Sequence, residues 1–185
     1  MTEKKYTNPA TIALHAGWRK DETTNSVTVP IHMTSSYQFD STDHAANLFA
    51  LSELGNIYSR IMNPTNAVFE ERIAALEGGV AALGLASGQA ASAYAIQNLC
   101  SNGDNFVASS HLYGGTYNQF KNPFSDMGIE VRFVDPSDPQ NFADATDDKT
   151  RAYYGEVLPN PSFQVFPLQE VADLGRPLGI PLIVD

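Results

Sequence analysis

Five short segments of this 185-residue sequence bring together residue types that can do chemistry. In Tyr58-Ser59-Arg60 the arginine offers a planar fork of donors and the tyrosine a hydroxyl, a pair able to clamp a phosphate. A surface pair ahead of a helix start is the other reading; it explains Asn63-Pro64 but leaves Tyr58 and Arg60 without a purpose. In Ala86-Ser87-Gly88-Gln89, between an apolar run and a helical pattern, Gly88 lets an anion approach the backbone, and the following amides and the helix dipole favour negative charge. A plain strand-to-helix turn uses the same residues. In Leu112-Tyr113-Gly114-Gly115 an aromatic ring flanked by glycines can lie over a flat ligand or simply pack. Asn160, between Pro159 and Pro161 and four residues after Glu156, can hydrogen-bond a hydroxyl or oxyanion, or satisfy its own turn. Asp185 emerges from the apolar run Leu182-Ile183-Val184. A carboxylate there needs a cation or several donors. A protonated pyridine nitrogen would serve and would keep such a ring electron-withdrawing; capping a helix is the alternative.

Other chemistries find less support. The chain has a formal net charge of −10, so it lacks the basic footprint of a nucleic-acid binder. No apolar run approaches the roughly 20 residues that a membrane-spanning helix needs. Met1-Thr2-Glu3-Lys4-Lys5-Tyr6 has no apolar signal-peptide core, and the single cysteine, Cys100, excludes an internal disulfide. These features predict a cytoplasmic protein with Cys100 as a small buried hydrophobe. His15, His32, His44 and His111 are scattered without a metal-ligand spacing, and no G-x-S-x-G elbow is present. Lys4, Lys5, Lys20, Lys121 and Lys149 fall in polar tails, loops or a helix end, unlike a desolvated Schiff-base lysine.

The elements that must position these segments follow from periodicity. Asn8-Pro9 predicts a helix start and Gly17 its stop. The polar stretch from Asp21 to Gln38 reads as an extended arm. A second helix is predicted from Thr42, with Ala45, Leu48 and Phe49 as its apolar stripe and Gly55 as its stop. A third opens at Asn63-Pro64, carries Phe69, Ile73 and Leu76 on one face, and stops at Gly78-Gly79. Val80 to Ala86 reads as a strand covered on both faces, and Gly88 to Leu99 as a helix. Strands are predicted at Phe106–Ala108, Ile129–Val134, Arg151–Gly155 and Leu182–Asp185, with helical segments at Gly115–Lys121, after Asp138-Pro139 and at Pro167–Leu174. Strands separated by helices imply an α/β fold with a mainly parallel sheet and right-handed crossovers. Parallel sheets bind ligands outside the carboxyl ends of their strands, where four of the five segments fall. A chain ending on an apolar strand with no covering helix reads as part of a longer one, and alone it would expose a sheet edge and aggregate.

Taken together, Y-x-R-x-x-N-P-T from Tyr58, A-S-G from Ala86, L-Y-G-G-T-Y from Leu112 and E-x-x-x-N-P from Glu156, closing on I-V-D at Asp185, resemble the Cys/Met-metabolism family of pyridoxal-phosphate (PLP) enzymes. The resemblance runs from Leu14-His15-Ala16-Gly17 to Asp185. It implies an aspartate-aminotransferase-like (fold type I) PLP domain, with residues 1–62 an N-terminal arm contributing to the neighbouring subunit's site and residues 63–185 the first part of the large PLP-binding domain. By that resemblance Tyr58 and Arg60 bind the phosphate of the neighbouring subunit's PLP. Gly88 and Gln89, with Ser87 beside them, donate to the phosphate in their own subunit. Many members carry Met at the place of Gln89, a change that a backbone contact tolerates. Tyr113 stacks on the pyridine ring and is a candidate proton-transfer group, the catalytic candidate of this chain. Asn160 meets the phenolic oxygen and Asp185 the ring nitrogen; Glu156 matches a recurrent position without an assigned role.

Leu14-His15-Ala16-Gly17, Leu48-Phe49-Ala50-Leu51 and Leu54-Gly55-Asn56-Ile57-Tyr58 resemble the O-acetylhomoserine sulfhydrylases of that family more than its cystathionine synthases or lyases. The implied reaction is a γ-replacement. O-acetyl-L-homoserine and sulfide, or methanethiol, would give homocysteine, or methionine, plus acetate. The implied assembly is a homo-oligomer, a tetramer built from catalytic dimers, and the PLP lysine would lie after Asp185. A methionine or cystathionine γ-lyase and a non-catalytic module remain alternatives. A nucleotide-binding Rossmann domain has less support, for want of G-x-G-x-x-G after the first strand.

Overall fold

The computed structural model describes residues 7–185, so Lys4 and Lys5 lie outside the described residues. The chain forms two compact units, the first ending at Gly84 and the second running from Leu85 to Asp185.

The first unit is helical. Helix α1 (Pro9–His15) starts where Asn8 accepts the N–H of Ala10, and it packs on α3 (Pro64–Glu77). Gly17 turns the chain away with φ 73°, and a β-carbon there would meet the side chain of Glu71 at 2.9 Å. Helix α2 (Thr42–Phe49) is capped by Ser41. Instead of running on to Gly55, it ends at Ala50, and Leu51 then takes a left-handed φ of 55°. Gly55 is where Leu48 packs: a β-carbon there would lie 2.9 Å from Leu48 Cδ2. Asn63 caps α3 and left-handed Gly78 closes it. The apolar face of α3 is not its buried one: Val68 is buried, whereas Phe69 is 58% exposed, with Ile73 and Leu76 also partly exposed. Val68 is the residue covered, and no element among the described residues covers the face that carries the other three.

The polar arm is not a free tail. Asp21 caps a turn by accepting from the amide and hydroxyl of Thr24. Farther on, Asn63 donates to the carbonyl of His32, and Thr65 Oγ1 takes the His32 N–H while donating to the Pro30 carbonyl. The Val80–Ala86 strand is a second correction. This run joins no sheet, and Leu83 is 69% exposed. Extended backbone becomes a strand only with a ladder partner, and none faces it among the described residues.

The second unit is an α/β layer structure. Strands β1 (Asn105–Ser109), β2 (Glu130–Val134), β3 (Thr150–Gly155) and β4 (Leu182–Val184) form a parallel sheet in the order β2-β1-β3-β4. Alternation along the strands sorts side chains to two faces. Phe106 and Ala108 of β1, with Ala152 and Tyr154 of β3, join Ile96 and Cys100 of α4 (Gly88–Leu99) and its capping residue in one core. Phe120 and Phe124 belong to the same core; they bound a π-helical turn that extends α5 (Gly114–Gln119). Val107 and Tyr153 point the other way, into a second core with Phe142 of α6 (Gln140–Asp144), Val171 of α7 (Leu168–Gly175), Phe166 and Ile180. The sheet is thus covered on both faces, as the apolar runs predict, although β4 at its edge is only half-buried. No helix among the described residues is long and apolar enough to cross a membrane.

Candidate active site

The strand order places a topological switch point between β1 and β3. From β1 the chain leaves to β2 on one side, then returns past β1 to place β3 on the other. Loops that leave neighbouring strands in opposite directions open a crevice at the carboxyl end of the sheet. The β1 loop leads to Tyr113 and the β3 loop carries Glu156 and Asn160, so two predicted segments flank this switch point.

Glu156 ties the two loops together. Its Oε2 accepts the backbone N–H of Tyr113 at 2.7 Å, and its Oε1 accepts that of Asn160 at 3.3 Å. Tyr113 caps α5 with extended backbone, and its ring folds back over Gly115: a β-carbon at Gly115 would meet the ring at 2.5 Å. The ring is half exposed, a flat apolar surface open to a ligand.

Helix α4 starts beside this loop. Ser87 caps it by accepting the N–H of Ala90 at 3.1 Å. Nothing lies within 4 Å of a β-carbon built on Gly88, so open space adjoins the first turn of α4. Gln89 turns its side chain inward, donating from Nε2 to buried Thr116 Oγ1 at 2.9 Å, while Gln119 donates to the Gln89 carbonyl at 3.1 Å. These bonds tie the start of α4 to the middle and end of α5 and turn the Gln89 side-chain amide to Thr116.

Asp185 closes the constellation. Its N–H donates to the Gly155 carbonyl and its own carbonyl accepts from Val157, which continues the β3–β4 pairing past Val184. Its Oδ2 accepts from the hydroxyl of Tyr154 at 3.1 Å, and that hydroxyl is 2.9 Å from Ser92 Oγ on α4. The second unit thus gathers its predicted residues around two local sets of bonds. In one, Gln89 bonds Thr116 of α5, the helix that Tyr113 caps and Glu156 holds at that cap together with Asn160; the other runs from Ser92 through Tyr154 to Asp185.

Tyr154 and Ser92 were not singled out by sequence reasoning. The available signals were a tyrosine inside an apolar strand, which needs a hydroxyl partner when buried, and a serine on the buried face of a small-residue helix.

Tyr58 and Arg60 belong to the first unit. The Arg60 guanidinium carbon lies 4.9 Å from the Tyr58 ring centroid, and both side chains are exposed. Their backbone is braced: Ser59 N–H donates to Ser35, Tyr58 bridges to Ser36, and Ser59 Oγ donates to the Thr34 carbonyl. The described lysines are engaged elsewhere or exposed. Lys20 pairs with Asn25 and Glu22, Lys121 lies over the Tyr117 ring, and Lys149 sits in an exposed turn.

An open helix start, an exposed aromatic face and a strand-end carboxylate beside a parallel switch point are an arrangement that PLP of a fold-type-I protein would fit. The open space at Gly88 suits the phosphate, the exposed Tyr113 ring suits the pyridine, and Asp185 keeps Oδ1 available for the ring nitrogen. The chain belongs to the Cys/Met metabolism PLP-dependent enzyme family, whose model matches residues 10–185. It is 54% identical over 177 residues to the O-acetyl-L-homoserine sulfhydrylase of Leptospira meyeri, covering 96% of this chain and 40% of that protein. It is 48% identical over 177 residues to the homocysteine/cysteine synthase of Saccharomyces cerevisiae, covering 95% of this chain and 40% of the relative. A solved structure titled as a putative O-acetylhomoserine (thiol)-lyase from Campylobacter jejuni, containing pyridoxyl-lysine monophosphate, superposes with a TM-score of 0.94 at 38% identity; the match covers 97% of this chain and 44% of that one. The chain thus spans about two-fifths of the length of these relatives.

Proposed function

We propose that the full-length protein is a PLP-dependent O-acetylhomoserine sulfhydrylase, converting O-acetyl-L-homoserine and sulfide, or methanethiol, to L-homocysteine, or methionine, and acetate. The observation that carries this reading is the Tyr113–Glu156–Asn160 bridge across the switch point, in a chain 54% identical to a protein named for that activity. When bound, PLP supplies an electron sink that lets the α and β protons of the substrate move and the γ substituent leave.

The chain's own residues hold and orient. The first amides of α4, at Gly88 and Gln89, receive the phosphate with Ser87 beside them, where the helix dipole favours its charge. Tyr113 covers one face of the ring, excludes water from it and stands where a hydroxyl can pass a proton. Asn160 donates to the phenolic oxygen. Asp185 accepts from the protonated ring nitrogen and keeps it charged. Tyr58 and Arg60, carried by the arm of residues 1–62, reach the phosphate of a neighbouring subunit, while residues 63–185 begin the large PLP-binding domain. This reading requires catalytic dimers, which pair into a cytoplasmic homotetramer. The lysine that carries PLP belongs to the rest of the full-length protein.

Steady-state assay of the full-length enzyme tests the reaction. Turnover of O-acetylhomoserine with sulfide should exceed turnover of methionine or cystathionine alone; faster reaction without added thiol would make it a γ-lyase. For the arm, Arg60→Ala should lower PLP retention on gel filtration, and unchanged retention would remove Arg60 from the phosphate site.

A further inference from the structure

The carboxylate of Asp185 is gripped from behind by a buried chain of hydroxyls. Tyr154, in the middle of the sheet on β3, is 1% exposed, and the edge of its ring is fixed against Phe120, with centroids 4.7 Å apart at 89°. Its hydroxyl donates to Asp185 Oδ2 at 3.1 Å and lies 2.9 Å from Ser92 Oγ. An ionised carboxylate has no proton to give, so the single phenolic proton is committed to Asp185. Ser92 must then donate to the phenolic oxygen. Ser92 is itself buried, at 7% exposure, and its helix α4 starts at Gly88. Burial, the largest influence, pushes the Tyr154 ionisation well above that of a free tyrosine, and the negative charge of Asp185 adds to it. The hydroxyl therefore keeps its proton for donation at neutral pH. Since Tyr154 takes Oδ2, the carboxylate cannot rotate freely and Oδ1 is turned to a fixed place.

We propose that Tyr154, oriented by Ser92, is a positioning residue that aims the Asp185 carboxylate at the cofactor's ring nitrogen. A single rigid helix then governs both ends of the cofactor: its first turn seats the phosphate, and its Ser92 sets the ring's acidic partner. The proposal rests on the reading of Asp185 as that partner.

The test uses full-length protein reconstituted with PLP labelled with 15N in the ring. Two quantities are read: the ring-nitrogen chemical shift and the PLP dissociation constant. Tyr154→Phe removes one hydroxyl and keeps the ring. It should move the nitrogen resonance and weaken PLP binding about tenfold, the effect of losing one hydrogen bond to a charged group. Ser92→Ala should move both in the same direction by less. The double variant should be no worse than Tyr154→Phe alone, because the serine acts through the phenol. If Asp185→Asn moves the resonance while Tyr154→Phe and Ser92→Ala leave it in place, the positioning role is wrong and the Asp185 assignment stands. If Asp185→Asn also leaves it in place, the assignment falls and takes the proposal with it. Additive effects of the two hydroxyl deletions would overturn the part assigned to Ser92. Should Tyr154→Phe fail to fold, the shift in Ser92→Ala decides: movement supports the proposal and a wild-type resonance overturns it.

Discussion

The carboxylate of Glu156 reaches from the end of β3 to the backbone N–H of Tyr113 at 2.7 Å, so one side chain holds the loop of the neighbouring strand β1. Its other oxygen holds Asn160. The geometry gives a role to a position that its spacing alone left without one. Glu156→Gln keeps one acceptor and turns an NH2 group towards the other amide. It should weaken PLP binding of the full-length protein about tenfold, and Glu156→Ala more, with a stability cost of about 1 kcal/mol because both amides are exposed and water can replace the carboxylate. Fluorescence titration with PLP checks this; equal affinity for all three proteins would show that the bridge does not shape the pocket.

Gly88→Ala separates folding from binding. A β-carbon there touches no protein atom within 4 Å, and the position is the first residue of α4. Alanine should leave the melting temperature unchanged or slightly raised, since it restricts the unfolded chain. If the first turn of α4 seats the phosphate as proposed, the methyl group would intrude on it and PLP affinity should drop at least severalfold. Calorimetry beside PLP titration measures both, and an unaffected affinity would move the phosphate elsewhere.

Gly155→Ala should act through packing alone. A β-carbon at Gly155 would meet the Phe166 ring at 2.3 Å, and that ring is 3% exposed within the second core. Neither the strand nor the ring has room to yield, so overpacking should cost about 1–3 kcal/mol. Urea denaturation of the full-length protein would show a lower midpoint at an unchanged slope. A midpoint equal to wild type would mean that the ring moves aside freely.

Cys100 gives a pH prediction. Burial, with the negative charge of Asp104 adding to it, pushes its thiol from 9.0 up to about 11. The folded state thus holds this proton more tightly than the unfolded chain. The resulting stabilisation is complete below pH 9 and is lost as pH rises towards 11. An aromatic disulfide reagent at pH 8 should leave Cys100 unmodified until denaturant is added, and stability should fall between pH 9 and 11. Rapid labelling of the native protein at pH 8 would contradict the burial.

Local signals read correctly where the chemistry is local. Asn8-Pro9 and Asn63-Pro64 start helices because each asparagine caps one and each proline follows with a suitable φ. The four strands from Asn105 onward follow their apolar runs. Long-range pairing was not legible. Val80–Ala86 has the composition of a strand, yet composition does not supply a partner. The π-helical turn at Phe120–Phe124, with Pro123 inside it, leaves no periodic signature in so short a segment. At the site, each segment alone had an ordinary explanation, and the glycines and charged residues stood out only in combination. Tyr154 and Ser92 did not, since a tyrosine in a strand and a serine in a helix are ordinary until the fold places their oxygens 2.9 Å apart.

The lacing of the arm has a consequence for association. Asn63 and Thr65 hold the backbone at Pro30 and His32, so the turn presenting Tyr58 and Arg60 is ordered within a single chain. If Tyr58 and Arg60 serve a neighbouring subunit as proposed, they carry little loss of chain freedom into that complex, since their backbone is already braced. Encounter between two such chains would then resemble the docking of preshaped bodies, with a rate set by diffusion and orientation instead of by the coiling of a loose tail.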